Sequence, residues 1–275
     1  MKFSTAGTTF IVALLSTVPA WAADYESSIP SACAVSGLNG KLEAAGGATD
    51  LGDGDDWDGA FRGIGSVSFP LGCMFGAQFD AGVLDNGDDT GVGLMGHLFL
   101  RDPTSHLLGV AVSYQSNDGD HVWRVGPEAE LYLGNISLEA WAGFEDPDDG
   151  DNDFFAAIDA GYYFTEDFRL SLGYRRSFDV DAARISAEYL TTALDTPVSL
   201  FAEGTFGEDD YASVMGGVRF YLGGSSKSLM QRHREDDPTP EFFDMYGDGD
   251  GAALPVEECP DGYTGTPPDC VPNLT

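Results

Sequence analysis

Positive charge is scarce in this chain. Thirteen Lys and Arg stand against 46 Asp and Glu in 275 residues, a net charge of −33. A protein that holds nucleic acid needs a basic face to neutralise phosphates, so nucleic acid is excluded as a partner. Long apolar runs are also missing. Beyond residue 22 no stretch approaches the roughly 20 apolar residues of a membrane helix, so any passage through a bilayer has to be made by strands. Histidine is rare: His97, His106, His121 and His233 are the whole supply, only His121 is placed near the rim of the acidic loops, and no obvious serine motif accompanies it. A nucleophilic hydrolase needs a serine, a histidine and an orienting group together, so no catalytic residue is assigned and no enzyme is expected. No segment carries full EF-hand spacing with its terminal Glu, and no resident metal or cofactor is expected.

The first 22 residues have the pattern of a secretory signal peptide: Lys2, an apolar run from Phe10 to Val18, and Ala20-Trp21-Ala22 ahead of the cut. Residues 23–32 form a leader. The segment 33–222 then repeats one unit, seen whole in Ile136 to Phe168: strand, acidic loop, strand, tight turn. Ile136, Leu138, Ala140, Ala142 and Phe144 share one face of the first strand; Ser137, Glu139, Trp141 and Gly143 share the other. Period-2 alternation with two unlike faces predicts β structure. About twelve such strands follow one another, the first expected over 33–46, each close to the roughly 9–11 residues a tilted strand needs to cross a bilayer. The fold class expected is all-β, an up-and-down antiparallel transmembrane β-barrel. Residues 223–275 are a separate tail, largely disordered by its Pro, Asp and Gly content, with KSLMQRHRED as a short helix. A solvated tail, a partner-binding tail and a plug in the lumen are its open destinations.

Connections alternate between two classes. Short turns such as 102–104, 134–135 and 166–167 alternate with six acidic loops at 48–58, 84–90, 116–120, 145–153, 178–182 and 207–211. The acidic loops hold 21 acids and no Lys or Arg, and an up-and-down sheet brings all six to one end. Divalent cations are candidate ligands there, because hard oxygen donors cluster; a solvated acidic surface is the plainer reading.

The remaining strand charges lie opposite the apolar rows. Lys41, Arg62, Arg124, Arg169, Arg175, Arg184 and Arg219 share that face with Glu43, Asp80, Glu128, Glu130, Glu139, Asp159, Glu188 and Glu203. Alternation alone does not say which face is inside. Aromatics at the ends of the apolar rows, among them Phe69, Phe75, Phe144, Phe154, Phe164 and Phe220, resemble interfacial girdles, and a balanced set of charges suits an enclosed lumen. The charged residues are therefore expected to line a lumen, either as selectivity groups of a channel or as a salt-bridged filling. Four cysteines in an exported chain suggest two disulfides, Cys33 with Cys73 at neighbouring strand ends and Cys259 with Cys270 across a Pro/Gly loop.

With its export signal, its alternating hairpins and the aromatic end Val218-Arg219-Phe220-Tyr221-Leu222, the segment 33–222 resembles the Gram-negative outer-membrane β-barrel proteins, the broad porin-like group. Such barrels commonly end at that strand, whereas this chain continues for a further tail. The resemblance implies outer-membrane lipids and the barrel-assembly machinery as partners, with a homo-oligomer open. It also implies acidic loops outside the cell and turns and termini in the periplasm. The expected function is a small passive diffusion channel with a negatively charged outer vestibule. The alternatives are a closed structural or surface-interaction barrel and, further off, a lipid-modifying enzyme.

Overall fold

The computed structural model describes residues 33–50, 57–85, 90–117, 120–148, 152–178, 180–191, 196–208, 211–223, 227–236, 238–240, 242–243 and two short strands at 263–264 and 271–272. The expected signal peptide and leader, the middle residues of the acidic loops, and both Cys259 and Cys270 lie outside them.

Twelve antiparallel strands form one closed barrel: β1 (Asn39–Asp50), β2 (Asp58–Pro70), β3 (Phe75–Asp85), β4 (Thr90–Asp102), β5 (His106–Asn117), β6 (Asp120–Leu133), β7 (Ile136–Pro147), β8 (Asp153–Thr165), β9 (Phe168–Ser177), β10 (Val180–Thr191), β11 (Val198–Gly207) and β12 (Ala212–Leu222). Each strand pairs with its sequence neighbours, and β1 closes on β12 from Gly40↔Leu222 to Asp50↔Ala212. Closure leaves no row of unpaired amides, which is what a strand-built membrane protein requires. All six acidic connections therefore leave the barrel at one end, here the loop end, and the short ones at the other, the turn end. At the turn between β6 and β7, Gly134 takes a φ of +60°, a conformation costly for a residue with a Cβ.

Alternation settles the faces. Along β4 the outer row is Val92, Leu94 and Leu98, exposed, with Gly96 and Leu100 partly so, while Met95, His97, Phe99 and Arg101 lie buried on the inside. The exposed set includes Leu108, Val110 and Val112 on β5, Val125 on β6 and Leu200 on β11. Aromatics concentrate toward the two rims of this outer wall. Trp123, Phe144, Phe154 and Phe206 lie toward the loop end; Phe69, Phe75, Phe164 and Phe220 lie toward the turn end. An apolar exterior around a charged interior is the reverse of a water-soluble barrel and matches a hydrocarbon surround.

Two boundaries differ from the sequence expectation. The first strand begins at Asn39 and not at residue 33. Cys33 to Val35 instead turns inward, and Ala34 and Val35 pack fully buried against Phe99 and Leu107. The cause is local: Cys33 is disulfide-bonded to Cys73, with Cα atoms 4.4 Å apart, and the Ala34 N–H donates to the Cys73 carbonyl at 2.7 Å. The acidic stretch 145–153 also begins later than its composition suggests. β7 continues to Pro147, and Glu145 is fully buried inside the wall.

After β12 the chain turns back. A seven-residue helix, α1 (Leu229–Glu235), starts at a capping box in which the Ser228 hydroxyl accepts from the Gln231 N–H and the Gln231 side-chain oxygen accepts from the Ser228 N–H. Further on, β13 (Tyr263–Thr264) and β14 (Val271–Pro272) pair antiparallel.

Candidate functional site: a charged lumen with the tail inside it

The inner wall is an ionic lattice. Lys41, Arg62, Asp80, Arg124, Glu128, Glu139, Asp159, Arg169, Arg175, Arg184, Glu188 and Glu203 are buried inside the barrel, as is Glu43; Glu130 and Arg219 are partly buried on the same face. Strand alternation puts each in the lumen, and cross-strand register sets its partners. Glu43 of β1 bridges Arg62 of β2 at 2.7 Å and Arg219 of β12 at 2.6 Å. Arg219 reaches on to Glu188, and Arg62 to Glu203 at 2.6 Å. Arg184 holds Glu203 at 2.6 Å and Asp159 at 3.5 Å, and Arg175 holds Asp159 at 2.7 Å. Four guanidinium groups and four carboxylates thus form one connected network across β1, β2, β8, β9, β10, β11 and β12. Buried ions of this kind hold their geometry because losing one partner leaves the other charged and dry.

Smaller clusters complete the wall. His97 lies between Glu128 at 2.6 Å and Asp80 at 3.2 Å. Arg169 holds Glu139 at 2.6 Å. Near the loop end Arg124 binds Glu145 at 2.9 Å, and Glu145 also accepts from Ser177 at 2.6 Å and from the Phe178 N–H at 2.5 Å. Phe178 has a φ of +51°, and the Arg124 guanidinium stacks 5.4 Å from its ring. Glu145 therefore fixes a strained turn, a role hidden in the sequence by its acidic neighbours. Arg101, buried and 3.9 Å from Glu130, also belongs to the inner face.

The tail occupies the space these walls enclose. Helix α1 sits across the turn end: the Leu229 N–H donates to the Asp167 carboxylate at 3.1 Å, and the Met230 N–H to the Glu166 carbonyl at 2.9 Å. Arg234 donates to the carbonyls of Gly134 and Ile136 and stacks on Tyr132 and Tyr163. The Tyr163 hydroxyl and His233 Nδ1 are 2.8 Å apart, and His233 Nε2 lies 3.5 Å from Glu188. From Asp236, where the Ser36 hydroxyl donates at 2.7 Å, the chain enters the lumen. Gln78 Nε2 donates to the Pro238 carbonyl at 3.0 Å, and Thr239 lines two cavities of about 20 and 30 Å³ between the tail and the wall. Each has room for about one or two waters.

Phe242 and Phe243 end the described path. Their rings are buried in one cluster with Ile64, Leu84, Met95, Trp141, Phe155, Phe201 and Met215. Gly82 and Gly93 face each other across β3 and β4 and make the hollow for the pair. A Cβ at Gly93 would collide with the Phe242 ring, and one at Gly82 would stand 2.6 Å from Phe243. Of the destinations open to the tail in the sequence, the described residues 238–240 and 242–243 take the lumen. The cue was present in the two opposed lumen glycines and the Phe-Phe pair, but neither identifies the other without the fold.

No protein-family model and no curated protein matches the chain. Among solved structures it is similar to the KdgM porin in complex with disordered oligogalacturonate, at 11% identity over 66% of this chain and 98% of that one, with a TM-score of 0.50. It is also similar to the outer membrane protein Omp33 of Acinetobacter baumannii, at 12% identity over 67% and 99% of the two chains and a TM-score of 0.41. Outer membrane phospholipase A from Escherichia coli matches at 16% identity over 69% and 93%, with a TM-score of 0.42. The fold is that of the outer-membrane β-barrel proteins.

Proposed function

We propose that the protein is a passive diffusion channel for small solutes and ions in a bacterial outer membrane, and that its conducting path opens when the segment that ends in Phe242 and Phe243 leaves the lumen. The observation that carries this reading is that the wall is complete without the tail. β1 pairs directly with β12, so withdrawal of the tail removes no strand and exposes an interior of balanced charges with one apolar belt where Phe242 and Phe243 were seated. The charged part of such an interior suits hydrated ions. The six acidic loops gather at one end as a negative vestibule, which raises the local concentration of cations at low salt. By the usual pattern of such barrels those loops face outside the cell.

A second reading, a closed barrel without transport, is supported by the clamp at the turn end. Lys227 binds Asp236 and, at 3.3 Å, Glu235, while the Ser36 N–H donates to the Glu235 carbonyl at 2.9 Å. An enzymatic reading has less behind it. Ser105 and His106 are 2.8 Å apart, yet the nearby carboxylate of Asp102 is engaged by the Thr104 N–H and hydroxyl in an ordinary turn. The test is a reversal potential in a planar bilayer under a low-salt KCl gradient, with the full chain and a Phe242→Asp/Phe243→Asp variant. Discrete steps with cation preference support a channel. Absence of steps in both proteins, or anion preference at low salt, refutes it.

A further inference from the structure

A short piece of chain outside the wall holds the tail at the turn end. Residues 33–36 lie against β3, β4 and β5. Val35 packs beside Phe99 and Leu107 and over Gly76, where a Cβ would stand 2.5 Å from its methyl group. Ser36, at the end of this piece, meets the tail. Its N–H donates to the Glu235 carbonyl at 2.9 Å, and its hydroxyl donates to the Asp236 carboxylate at 2.7 Å. Lys227 closes the contact by donating to the Ser36 hydroxyl and to Asp236. Asp236 is buried, so its carboxylate depends on donors of this kind.

The piece that carries Ser36 is fixed at both ends. Downstream it runs into β1, where the Asn39 amide donates to the Gly37 carbonyl at 3.1 Å. Upstream the Cys33–Cys73 disulfide ties it to the turn between β2 and β3, with the Ala34 N–H on the Cys73 carbonyl at 2.7 Å and Arg101 on the Ala34 carbonyl at 3.4 Å. A chain held at both ends keeps Ser36 at a high effective concentration against the tail; one held at a single end spreads over many positions. Cys33 is buried and Cys73 is exposed, so an outside thiol meets the bond from the Cys73 side. We propose that Cys33–Cys73 is a redox latch on the tail. With the bond closed, Ser36 holds Glu235 and Asp236 and the tail stays in the lumen; with the bond reduced, residues 33–36 loosen and the tail leaves more often. The latch rests on the reading of the tail as the gate of the channel. The reductant is a dithiol that reaches the turn end. One of its thiolates attacks the Cys73 sulfur, the protein S–S bond breaks, and the Cys33 thiolate leaves and takes up a proton. Its second thiolate then attacks its own sulfur in the mixed disulfide and releases Cys73. Two electrons pass from the dithiol, which becomes a disulfide, to the protein, which gains two thiols. A disulfide oxidant reverses both steps.

The test uses full-length protein carrying Cys259→Ser and Cys270→Ser throughout, which leaves Cys33 and Cys73 as the native cysteines. The first readout needs no conduction. Maleimide labelling of Thr239→Cys is compared with and without Cys33→Ser/Cys73→Ser, under conditions where heat-modifiable gel mobility shows both barrels folded. Loosening the Ser36 contacts should raise the labelling rate about tenfold. Ser36→Ala with the disulfide intact should also raise it, and should add little on top of Cys33→Ser/Cys73→Ser, because the disulfide acts through Ser36. A general loss of stability would instead add in full. The second readout is single-channel recording with dithiothreitol on the turn-end side. Open occupancy should rise about tenfold in the disulfide-bonded protein and stay constant in Cys33→Ser/Cys73→Ser. An unchanged labelling rate on loss of the disulfide, full additivity with Ser36→Ala, or openings that ignore dithiothreitol overturns the latch. Absence of openings in every protein refutes the channel reading instead, and the labelling rates then decide the latch by themselves.

Discussion

If Phe242 and Phe243 anchor the tail, replacing both by alanine should release it without disturbing the wall. Burial of each ring contributes about 1.5–3 kcal/mol, so the pair contributes about 3–6 kcal/mol to seating. Each 1.4 kcal/mol is a tenfold change in an equilibrium, and the unseated population should therefore rise about a hundredfold or more. Thr239→Cys supplies the reporter, since Thr239 lines cavities between tail and wall. In detergent-folded protein the rate of maleimide labelling at that position follows the fraction of time the tail is out. Labelling should be slow in the Thr239→Cys parent and about a hundredfold or more faster once both phenylalanines are gone. Heat-modifiable gel mobility should stay unchanged, because β1 and β12 close the barrel independently of the tail. Equal labelling rates in the two proteins would refute the anchoring argument. So would a parent rate already equal to that of a free thiol.

Three further outcomes follow from the wall. Glu43→Gln leaves Arg62 and Arg219 each short of a buried carboxylate and should cost about 3–5 kcal/mol in urea unfolding from detergent. Arg176→Gln, which breaks the partly exposed pair with Asp181 at the rim, should cost no more than about 1 kcal/mol in the same assay. Cys33→Ser with Cys73→Ser opens a closed loop with a sequence separation of 40 and should lower stability by about 4 kcal/mol at most, read as a lower unfolding temperature on heat-modifiable gels.

Strand identity and facing were legible because a period of two is a strong signal and each hairpin repeats it. Which face is inside was also accessible, since the acids and bases of the strands balance one another and the aromatics gather at strand ends. Pairing across the first turn placed Cys33 beside Cys73, although the inward fold of Cys33 to Val35 was not visible. That segment is apolar and short, and only the disulfide tells it to turn in. Glu145 was hidden by composition: one buried carboxylate stands just before the exposed Asp146 and Asp148, and residue type does not separate them. The seating of Phe242 and Phe243 was the least accessible feature. It depends on contacts with β3 and β4 about 160 residues away in sequence, and on two glycines whose absent side chains carry no pattern of their own.

The central claim is that the tail, and not the wall, closes the lumen. Single-channel recording of the full chain beside its Phe242→Ala/Phe243→Ala variant, in the same lipid and salt, tests it most directly. The account predicts rare, brief openings in the parent and long-lived openings of one unit conductance in the variant. Equal open occupancy at the same unit conductance in both proteins would contradict it.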